Sequence, residues 1–401
     1  MLNNISDVRG FKAWGAHMGI KSKRRDLALI YSEKPANAAA LFTQNVVCAE
    51  PIKLSRKHIK NGKIQAIVVN SGNANACTGK KGYEGAVSMA ERTAELLDIP
   101  KETVLVASTG LIGEPFPTDK VLDGIDECVN KLSNRKIAGS LVANAILTTD
   151  TFAKEGFTSF EVDGKSINMA GIAKGSGMIH PNMGTMLGFI TCDVAIAQPL
   201  LDKALREIVN KTFNMITVDG DTSTNDTVAI MCNGMAENNE ITEEGKAYDL
   251  FYQNLEKLCQ HLAKLIVSDG EGSTKLVEYN VNHAKTADDA RKVVRTVSTS
   301  NLVKTAIFGT DPNWGRILAA AGRAGVNFDP EKVDLYFGAN KSVQILENGQ
   351  PTEHNRSAIE KEMQSSTITI TLDLNEGKAD ATGWGSDLSY EYIRINAEYT
   401  T

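Results

Sequence analysis

The chain contains the stretch Lys174-Gly-Ser-Gly-Met-Ile-His-Pro-Asn-Met-Gly-Thr-Met-Leu-Gly-Phe-Ile-Thr-Cys-Asp193. It opens with a glycine-rich loop that carries one lysine, and an apolar run (186–190) follows Thr185 at once. This run has strand-like composition and too little length for a helix, so it predicts a buried strand. The stretch therefore places a hydroxyl residue at the first position of a core strand, directly after Gly184.

A threonine at this position gains a chemical use if the peptide bond before it breaks. Thr185 is then an N-terminal residue that carries both a hydroxyl nucleophile and an α-amine. The amine has a reference pKa of about 7.7–8.0, so part of it is neutral near pH 7 and can accept the hydroxyl proton. Gly184 lacks a Cβ and tolerates the strained backbone that an N→O acyl shift needs. A turn glycine before an ordinary β-favouring threonine shows the same pattern, and spacing alone favours this second interpretation.

The composition is that of an ordinary soluble globular protein. The 401 residues, 42% of them hydrophobic and 23% charged, are enough for two domains or one large α/β unit. The net charge of −6 argues against a nucleic-acid surface. The beginning of the chain lacks a signal-peptide pattern, and no apolar stretch is long enough for a membrane span. Six scattered cysteines without a Cys-x-x-Cys pair favour reduced core thiols, and we expect a cytoplasmic protein without metal.

Periodicity and turn residues predict the elements around the central stretch. Apolar runs predict strands at 26–31, 64–69, 104–107 and 368–374, and amphipathic patterns predict helices at 86–97, 137–147, 200–211, 255–266 and 287–297. The polar ending from Arg394 onward is expected to fray. No linker or repeat divides the chain, so we expect one continuous body with two lobes.

Polar residues follow several of these predicted elements. Thr109-Gly110 comes just beyond a strand, where a hydroxyl and a backbone N–H can together stabilise an oxyanion, although a simple turn is favoured. Lys174, in its Gly-Ser-Gly loop, could pair with a substrate carboxylate or with that oxyanion. Glu271 lies between two glycines, which suits recognition of an amine or proton transfer at a cavity; a surface turn is the alternative.

Two further loops are open to more than one interpretation. The loop 70–79 contains Cys77, for which no partner base is indicated, so we expect a packed thiol rather than a nucleophile. The segment 217–227 holds three aspartates that could suggest Ca²⁺, but it lacks the later glutamate and central glycine of an EF-hand loop. We therefore predict an Asx-rich loop near the site.

The central stretch closely resembles the self-cleaving segment of the ornithine acetyltransferase (glutamate N-acetyltransferase) family of arginine biosynthesis. The resemblance extends over nearly the whole chain in the same order, through Asp26–Ile30, Asn70–Gly79, Ser108–Pro115, Thr148–Lys154, Lys174–Leu187, Val218–Val228, Ser268–Lys275 and Asp311–Gly322. Two residues depart from the family pattern. Gly184 and His180 stand where alanine is usual, and the first could alter the cleavage rate.

The resemblance implies a fold and a reaction. The fold is α/β (α+β), with sheets layered with helices, of the self-processed N-terminal-nucleophile type. Cleavage between Gly184 and Thr185 divides the chain into an α chain (1–184) and a β chain (185–401). Thr185 then takes the acetyl group from N2-acetyl-L-ornithine and passes it to L-glutamate in a ping-pong scheme, while Thr109 and Gly110 form the oxyanion hole.

It also implies the substrate contacts and the assembly. The substrate-binding residues carried over are Thr151 (otherwise a capping or strand-initiating threonine), Lys174, Thr185, Glu271, Asn396 and Thr401. Two α and two β chains form the assembly, and no nucleic acid, membrane, metal or cofactor is expected. Acetyl-CoA is a candidate co-substrate.

Three other functions share parts of this pattern. A self-processing amidohydrolase or aminopeptidase would use the same nucleophile with water as the acceptor. An uncut, non-catalytic amino-acid-binding protein would keep the scaffold without the reaction, although the intact Thr185 and Lys174 argue against it. A related transferase of a specialised pathway is the third, and Gly184 would suit it.

Overall fold

The structure, a computed structural model, describes residues 3–180, 186–353 and 356–398. In this part of the chain the strands form two sheets, and helices pack on their faces. The predicted architecture of sheets layered with helices is therefore confirmed. None of the described helices has both the length and the apolar character that crossing a membrane requires.

The elements have the following bounds. The strands are β1 (Phe11–Ala16), β2 (Leu27–Phe42), β3 (Lys63–Asn73), β4 (Val104–Leu111), β5 (Lys154–Val162), β6 (Lys165–Lys174), β7 (Leu187–Cys192), β8 (Ile216–Thr217), β9 (Thr227–Cys232), β10 (Leu276–Ala284), β11 (Asp334–Phe337), β12 (Val343–Glu347), β13 (Gln350–Pro351), β14 (Thr367–Asp373) and β15 (Ala379–Ser386). The helices are α1 (Glu50–His58), α2 (Gly79–Leu97), α3 (Thr118–Lys131), α4 (Lys136–Ala145), α5 (Gln198–Lys211), α6 (Lys246–Ser268), α7 (Ala287–Ser298), α8 (Asn301–Phe308), α9 (Trp314–Gly322), α10 (Arg356–Met363) and α11 (Tyr390–Glu398).

The first sheet has the order β4-β3-β2-β9-β7-β6-β5, with β1 paired to β2. Strand β7, the strand predicted from the central stretch, pairs antiparallel with β6 and parallel with β9. Leu187 is the partner of both Lys174 and Thr227. The end of β6 and the beginnings of β7 and β9 therefore lie at the same edge of the sheet.

Strand β7 is buried on both faces, which explains its continuous apolar sequence. Ile190 and Cys192 belong to one apolar core, and Leu187 and Phe189 belong to a second core on the opposite side. Because side chains alternate between the faces of a strand, the first sheet is a central layer with apolar packing on both faces.

Helix α6 connects the two sheets. It packs on β5 and β6 of the first sheet and contacts β10 and β15 of the second, whose order is β13-β12-β11-β14-β10-β15-β8. Apolar residues along one side, including Phe251, Leu255 and Leu262, are buried in the largest core. An amphipathic helix with one apolar stripe can pack into a core that both sheets share, because its polar side remains at the surface.

The chain ending differs from the sequence-based expectation. Residues 390–398 form helix α11 instead of a frayed tail, although its side chains are mostly exposed. Gly272 supports this helix: it has φ +66°, and a Cβ there would lie 2.3 Å from the backbone nitrogen of Tyr392. Ser389 also donates to the Gly272 carbonyl oxygen at 2.6 Å. Contacts with a distant loop therefore hold a segment whose own sequence suggests fraying.

Candidate active site

The candidate site is a cleft of about 170 Å³ at the edge of the first sheet where β4 and β6 end. Several separate segments meet there: the end of β4, the segments after α4, β6 and α6, the loop after β8, and helix α11. The lining residues are Thr109, Gly110, Leu111, Ile112, Thr148, Thr149, Lys174, Gly177, Met178, Asp219, Asp221, Ser223, Thr224, Asn225, Glu271, Tyr392 and Asn396.

The Thr109-Gly110 pair lies inside β4, which continues to Leu111, so the turn favoured from sequence is wrong. The strand continues because its end still pairs with β3, where Gly72 is the partner of Gly110. Gly110 has φ +133°, and a Cβ there would lie 2.3 Å from the carbonyl carbon of Gly72. Glycine is therefore the residue that suits this backbone, and both Thr109 and Gly110 line the cleft.

Lys174 is the last residue of β6, so it precedes the glycine-rich loop rather than standing in it. Its Nζ donates to Thr148 Oγ1 at 2.8 Å and to Thr109 Oγ1 at 3.2 Å. Burial lowers the pKa of Lys174, while the negative charge of Asp150 opposes that shift. Because the Thr109 oxygen accepts from the ammonium, its own hydroxyl hydrogen is left to donate into the cleft.

A buried ionic cluster lies behind this wall. The Lys154 ammonium contacts carboxylate oxygens of Asp150 and Asp269, both at 2.6 Å, and its side chain is fully buried. Burial alone would raise the pKa of Asp150, but the charges of Lys174 and Lys154 hold it below its ordinary value. Asp150 also accepts the backbone N–H of Gly175 at 2.8 Å, so the cluster joins the start of the glycine-rich loop to the segment after α4.

The three threonines of this segment, Thr148, Thr149 and Thr151, have different surroundings. Thr151 donates its backbone N–H to Asp269 Oδ2 at 3.0 Å and its hydroxyl to the same carboxylate. It is not among the described residues that line the cleft, whereas Thr148 and Thr149 are. Thr148 and Thr149 are therefore in position to contact a ligand, and the substrate contact that the resemblance implies for Thr151 stays a prediction.

Glu271 and Asn396 both line the cleft and contact each other. The Asn396 side chain donates to Glu271 Oε2 at 3.0 Å, and the Glu271 N–H donates to the Ser176 carbonyl oxygen at 2.9 Å. Glu271 thus stands at a cavity between its two glycines. Helix α11, which carries Asn396, also places Tyr392 beside Asp219. Burial raises the pKa of the Tyr392 phenol.

The Asx-rich loop lies at the site, as predicted. Asp219 accepts the N–H groups of Met178 and Ile179 at 2.6 and 2.8 Å, which holds the glycine-rich loop in place. Asn225 donates to the carbonyl oxygens of Ala74 and Ser108 at 2.6 and 2.8 Å. No group of His, Cys, Asp and Glu side chains in the described ranges has the arrangement of a metal site.

Three of the predicted site residues, Gly184, Thr185 and Thr401, lie outside the described residues. His180, the last described residue before the gap, accepts from Arg295 Nη2 at its Nε2, 2.6 Å away. Its Nδ1 therefore carries the hydrogen and donates to Thr217 Oγ1 at 3.1 Å. Burial, reinforced by the Arg295 charge, lowers the pKa of His180 to about 4.

The expectation of a packed Cys77 is wrong, because this thiol is exposed. Cys77 has φ +60° in the turn before α2, a left-handed conformation that is uncommon for residues other than glycine. Cys48 is partly exposed, and the other four cysteines are buried and free.

Sequence reasoning did not single out Asp150, Lys154, Asp226 or Tyr392. Asp150 and Lys154 are four residues apart at the start of a strand with apolar neighbours, which is a weak sign of a buried ion pair. Asp226 directly precedes an apolar strand run, 227–232, as Thr185 directly precedes the apolar run 186–190. That parallel was the available signal for a carboxyl group beside the site.

Comparison with known proteins gives a consistent assignment. The ArgJ family model matches residues 12–401. The arginine biosynthesis bifunctional protein ArgJ of Caldanaerobacter subterraneus subsp. tengcongensis is 53% identical over 394 residues, covering 98% of this chain and 97% of that protein. The protein of the same name from Listeria monocytogenes is 48% identical over 99% of this chain and 98% of its own.

Solved structures of similar proteins match part of the chain. A crystal structure of arginine biosynthesis bifunctional protein ArgJ from Bacillus halodurans is 45% identical and has a TM-score of 0.44, covering 45% of this chain and 94% of that chain. Ornithine acetyltransferase from Mycobacterium tuberculosis, crystallised with ornithine, is 34% identical with a TM-score of 0.40, over 45% of this chain and 95% of that one.

Proposed function

The chain belongs to the ArgJ family, and on that premise we propose that it transfers the acetyl group of N2-acetyl-L-ornithine to L-glutamate in arginine biosynthesis. The observation that supports this most is the meeting of Thr109, Lys174 and Glu271 in one cleft, although they are far apart in sequence. A hydroxyl donor, a cation and a carboxylate there match an acyl oxyanion, a substrate carboxylate and a substrate amine.

The reaction begins with self-cleavage between Gly184 and Thr185, which produces an α chain (1–184) and a β chain (185–401). The Thr185 hydroxyl attacks the acetyl carbonyl carbon of acetylornithine, and the α-amine of the same residue takes the hydroxyl proton. Thr109 and Gly110 donate to the oxyanion of the tetrahedral intermediate. Ornithine leaves, and glutamate then removes the acetyl group from the threonine ester.

The cleft residues bind and orient the two amino acids. Lys174 pairs with the substrate carboxylate, and its contact with Thr109 keeps that charge next to the oxyanion donors. Glu271, held by Asn396, faces the amine of ornithine or relays a proton. Thr151 belongs to the set by resemblance, and Thr148 is added because it lines the cleft. Thr401 and Thr185 complete the set by resemblance.

The proposal also covers the setting of the reaction. Two α and two β chains assemble into a heterotetramer, and the enzyme acts in the cytoplasm without a metal or cofactor. The relatives are named bifunctional, which favours acetyl-CoA as a second acetyl donor to glutamate. Labelled acetyl-CoA incubated with glutamate tests this second activity independently of acetylornithine.

The first test is the intact mass of the purified protein under denaturing conditions, followed by an activity assay. We expect two fragments that meet at Gly184/Thr185 and sum to the precursor plus one water. We expect Thr185→Ala to remain one chain and to lose transfer activity. If Thr185→Ala still turned over acetylornithine, the assignment of Thr185 as the nucleophile would be wrong.

The assay also separates the other functions. A transferase releases ornithine quickly only when glutamate is present, because glutamate must clear the acetyl-threonine ester. Ornithine release at the same rate without glutamate indicates an amidohydrolase. A chain that stays uncut on long incubation and has no turnover indicates an amino-acid-binding protein.

A further inference from the structure

A second cavity, of about 270 Å³, is lined by three basic side chains, those of Lys292, Arg295 and Arg323. His180 lines it as well, and no Asp or Glu is among the described residues that do so. We call this the basic cavity. Among the described residues it shares none with the lining of the cleft, so the proposed acetyl transfer does not account for its charge.

Two packed helices hold the basic cavity. Lys292, Arg295, Thr296 and Thr299 all line it, and they follow one another along α7 and its C-terminal end at intervals of three, one and three residues. Residues three and four apart lie on the same side of a helix, so this stripe faces the cavity. Arg323 directly follows α9, which packs against α7. The basic groups are therefore carried by a rigid part of the fold.

The positive charge of the basic cavity exceeds what the helix ends require. Helices α7 and α9 both end here, and the C-terminal end of a helix carries about half a negative elementary charge. Three cations outweigh both ends. Lys292 also pairs with Asp288 at 2.7 Å, but both side chains are more than half exposed, so solvent screens this pair and the lysine can change partner at little cost.

The two arginines can both reach a bound anion. Arg295 donates to the Asn214 carbonyl oxygen and to His180 Nε2, both at 2.6 Å, which orients its guanidinium group. Burial lowers the pKa of Arg295, and an anion beside this cation would oppose that shift. The Arg323 side chain is exposed and forms no ion pair with another described residue, so it is available to a ligand.

Phosphate is the anion that suits this arrangement. A phosphate monoester carries about 1.5–2 negative charges and three strong acceptor oxygens, and the planar guanidinium group matches its geometry. A carboxylate has one charge and two oxygens, so it would use fewer of the three cations. The cavity is slightly smaller than the roughly 300–1,000 Å³ that encloses a drug-sized ligand. It therefore suits a small anion or the phosphate end of a larger molecule.

We propose that the basic cavity binds a phosphate group, either as free phosphate or as part of a nucleotide, through Lys292, Arg295 and Arg323. This binding site is additional to the proposed acetyl transfer and does not rest on it. The chain itself connects the two sites, because Met178 lines the cleft and His180, two residues later, lines the basic cavity. A bound phosphate group thus lies beside a segment that forms part of the cleft wall.

The test is isothermal titration calorimetry of the full-length protein in a phosphate-free buffer of low ionic strength. The probes are inorganic phosphate and adenosine 3′,5′-bisphosphate, and we expect one saturable site per chain with a Kd below about 1 mM. Tighter binding of the bisphosphate supports a nucleotide as the ligand, and equal affinities support free phosphate. Absence of saturable binding for both probes would overturn the proposal.

Arg323→Gln removes one cation from the basic cavity without disturbing a buried contact. We expect the affinity for the tighter probe to fall by about 10-fold or more, as loss of a hydrogen bond to a charged group does. Arg323 does not line the cleft, so this loss also distinguishes the basic cavity from phosphate held by Lys174. Lys292→Gln should weaken binding in the same direction. Wild-type affinity in both variants would refute the assignment.

Arg291→Gln is the matched control. Arg291 lies on the same helix as Lys292, and its loss changes the net charge equally, but it is not among the described residues that line the basic cavity. We expect its affinity to equal that of wild type. An equal loss of affinity in Arg291→Gln and Arg323→Gln would indicate general electrostatic attraction and would overturn the proposal.

Thermal unfolding gives a second measurement. A ligand that binds the folded chain raises Tm, so phosphate should raise Tm more in wild type than in Arg323→Gln. An equal rise in the two proteins counts against the site. Neither measurement needs turnover. Phosphate binding without acetyl transfer therefore contradicts the proposed function alone, and acetyl transfer without phosphate binding contradicts this inference alone.

Discussion

The contact between Lys174 and Thr109 is the residue-scale feature that unites binding and catalysis. The Lys174 ammonium donates a hydrogen bond to the Thr109 hydroxyl oxygen, so the hydroxyl hydrogen remains free to donate to the oxyanion. We expect Thr109→Ala to lower the transfer rate by about 10²–10³-fold, as loss of one oxyanion donor does. Steady-state kinetics with acetylornithine and glutamate measures the change.

Thr148→Ala is the matched control for this prediction. It removes the other hydroxyl partner of Lys174 but no oxyanion donor, so its main effect should be on KM rather than kcat. An unchanged kcat in Thr109→Ala would remove Thr109 from the oxyanion hole.

His180 makes stability depend on pH. The pKa of the folded-state imidazole is about 4, against an ordinary value of 6.5 in the unfolded chain. As the pH falls between these values, the unfolded chain binds more protons than the folded one, so the free energy of unfolding decreases. Above this window the group contributes no pH dependence. The shift is caused by burial and by the adjacent Arg295 charge.

Across that pH window we expect the free energy of unfolding of wild type to fall by about 2 kcal/mol relative to that of His180→Ala. This is less than the full pKa shift corresponds to, because the ring is partly solvated. Urea unfolding at several pH values measures it, in the uncut Thr185→Ala background so that one chain unfolds. A constant difference between the two proteins at all pH values would contradict the prediction.

At the scale of elements, Lys154 joins three parts of the fold: the first residue of β5, Asp150 after α4, and Asp269 after α6. Lys154→Met would leave two buried carboxylates without their cation. We expect it to lower the free energy of unfolding by about 3–5 kcal/mol, because an uncompensated buried charge is costly. Urea unfolding in the uncut background measures this loss.

Lys101→Met is the control for charge removal. Lys101 pairs with Glu91 at 2.8 Å, but both side chains are about half exposed. Solvent screens this pair, so its loss should leave the free energy of unfolding almost unchanged. Equal losses in the two variants would show that burial does not strengthen the Lys154 cluster.

At the scale of the whole molecule, the proposed cleavage would leave two fragments that share one sheet. Strands β7 and β9 follow the cleavage position, yet they lie between β2 and β6, which precede it. Both outer edges of the β7–β9 pair are hydrogen-bonded to the other fragment. Separation would expose those edges and two apolar cores, so the fragments should stay together after cleavage.

We expect native mass spectrometry to find the α and β fragments only in complexes that contain both, while denaturing conditions resolve them. The uncut Thr185→Ala protein provides the reference mass for each assembly. Free α fragment under native conditions would contradict the interleaved arrangement. The same spectrum reports whether two copies of each fragment assemble.

Local patterns in the sequence determined most elements and the chemical types at the site. Strand β7 was predictable from its short continuous apolar run, and helices α2 and α6 were predictable because their apolar residues repeat with the period of a helix. The Thr109-Gly110 pair, Lys174 and Glu271 were recognisable because hydroxyl, cation and carboxylate groups stood next to glycines at element ends. These features depend on neighbours along the chain.

Only the tertiary structure decided how these residues meet. The extension of β4 depends on its pairing with β3, and helix α11 depends on Gly272, so neither could be predicted from adjacent residues. Thr151 is hydrogen-bonded to Asp269 while Thr148 lines the cleft, and burial in the folded chain raises the pKa of Asp226. Burial, pKa and cleft position depend on residues brought together from distant parts of the chain, and only the folded chain determines those contacts.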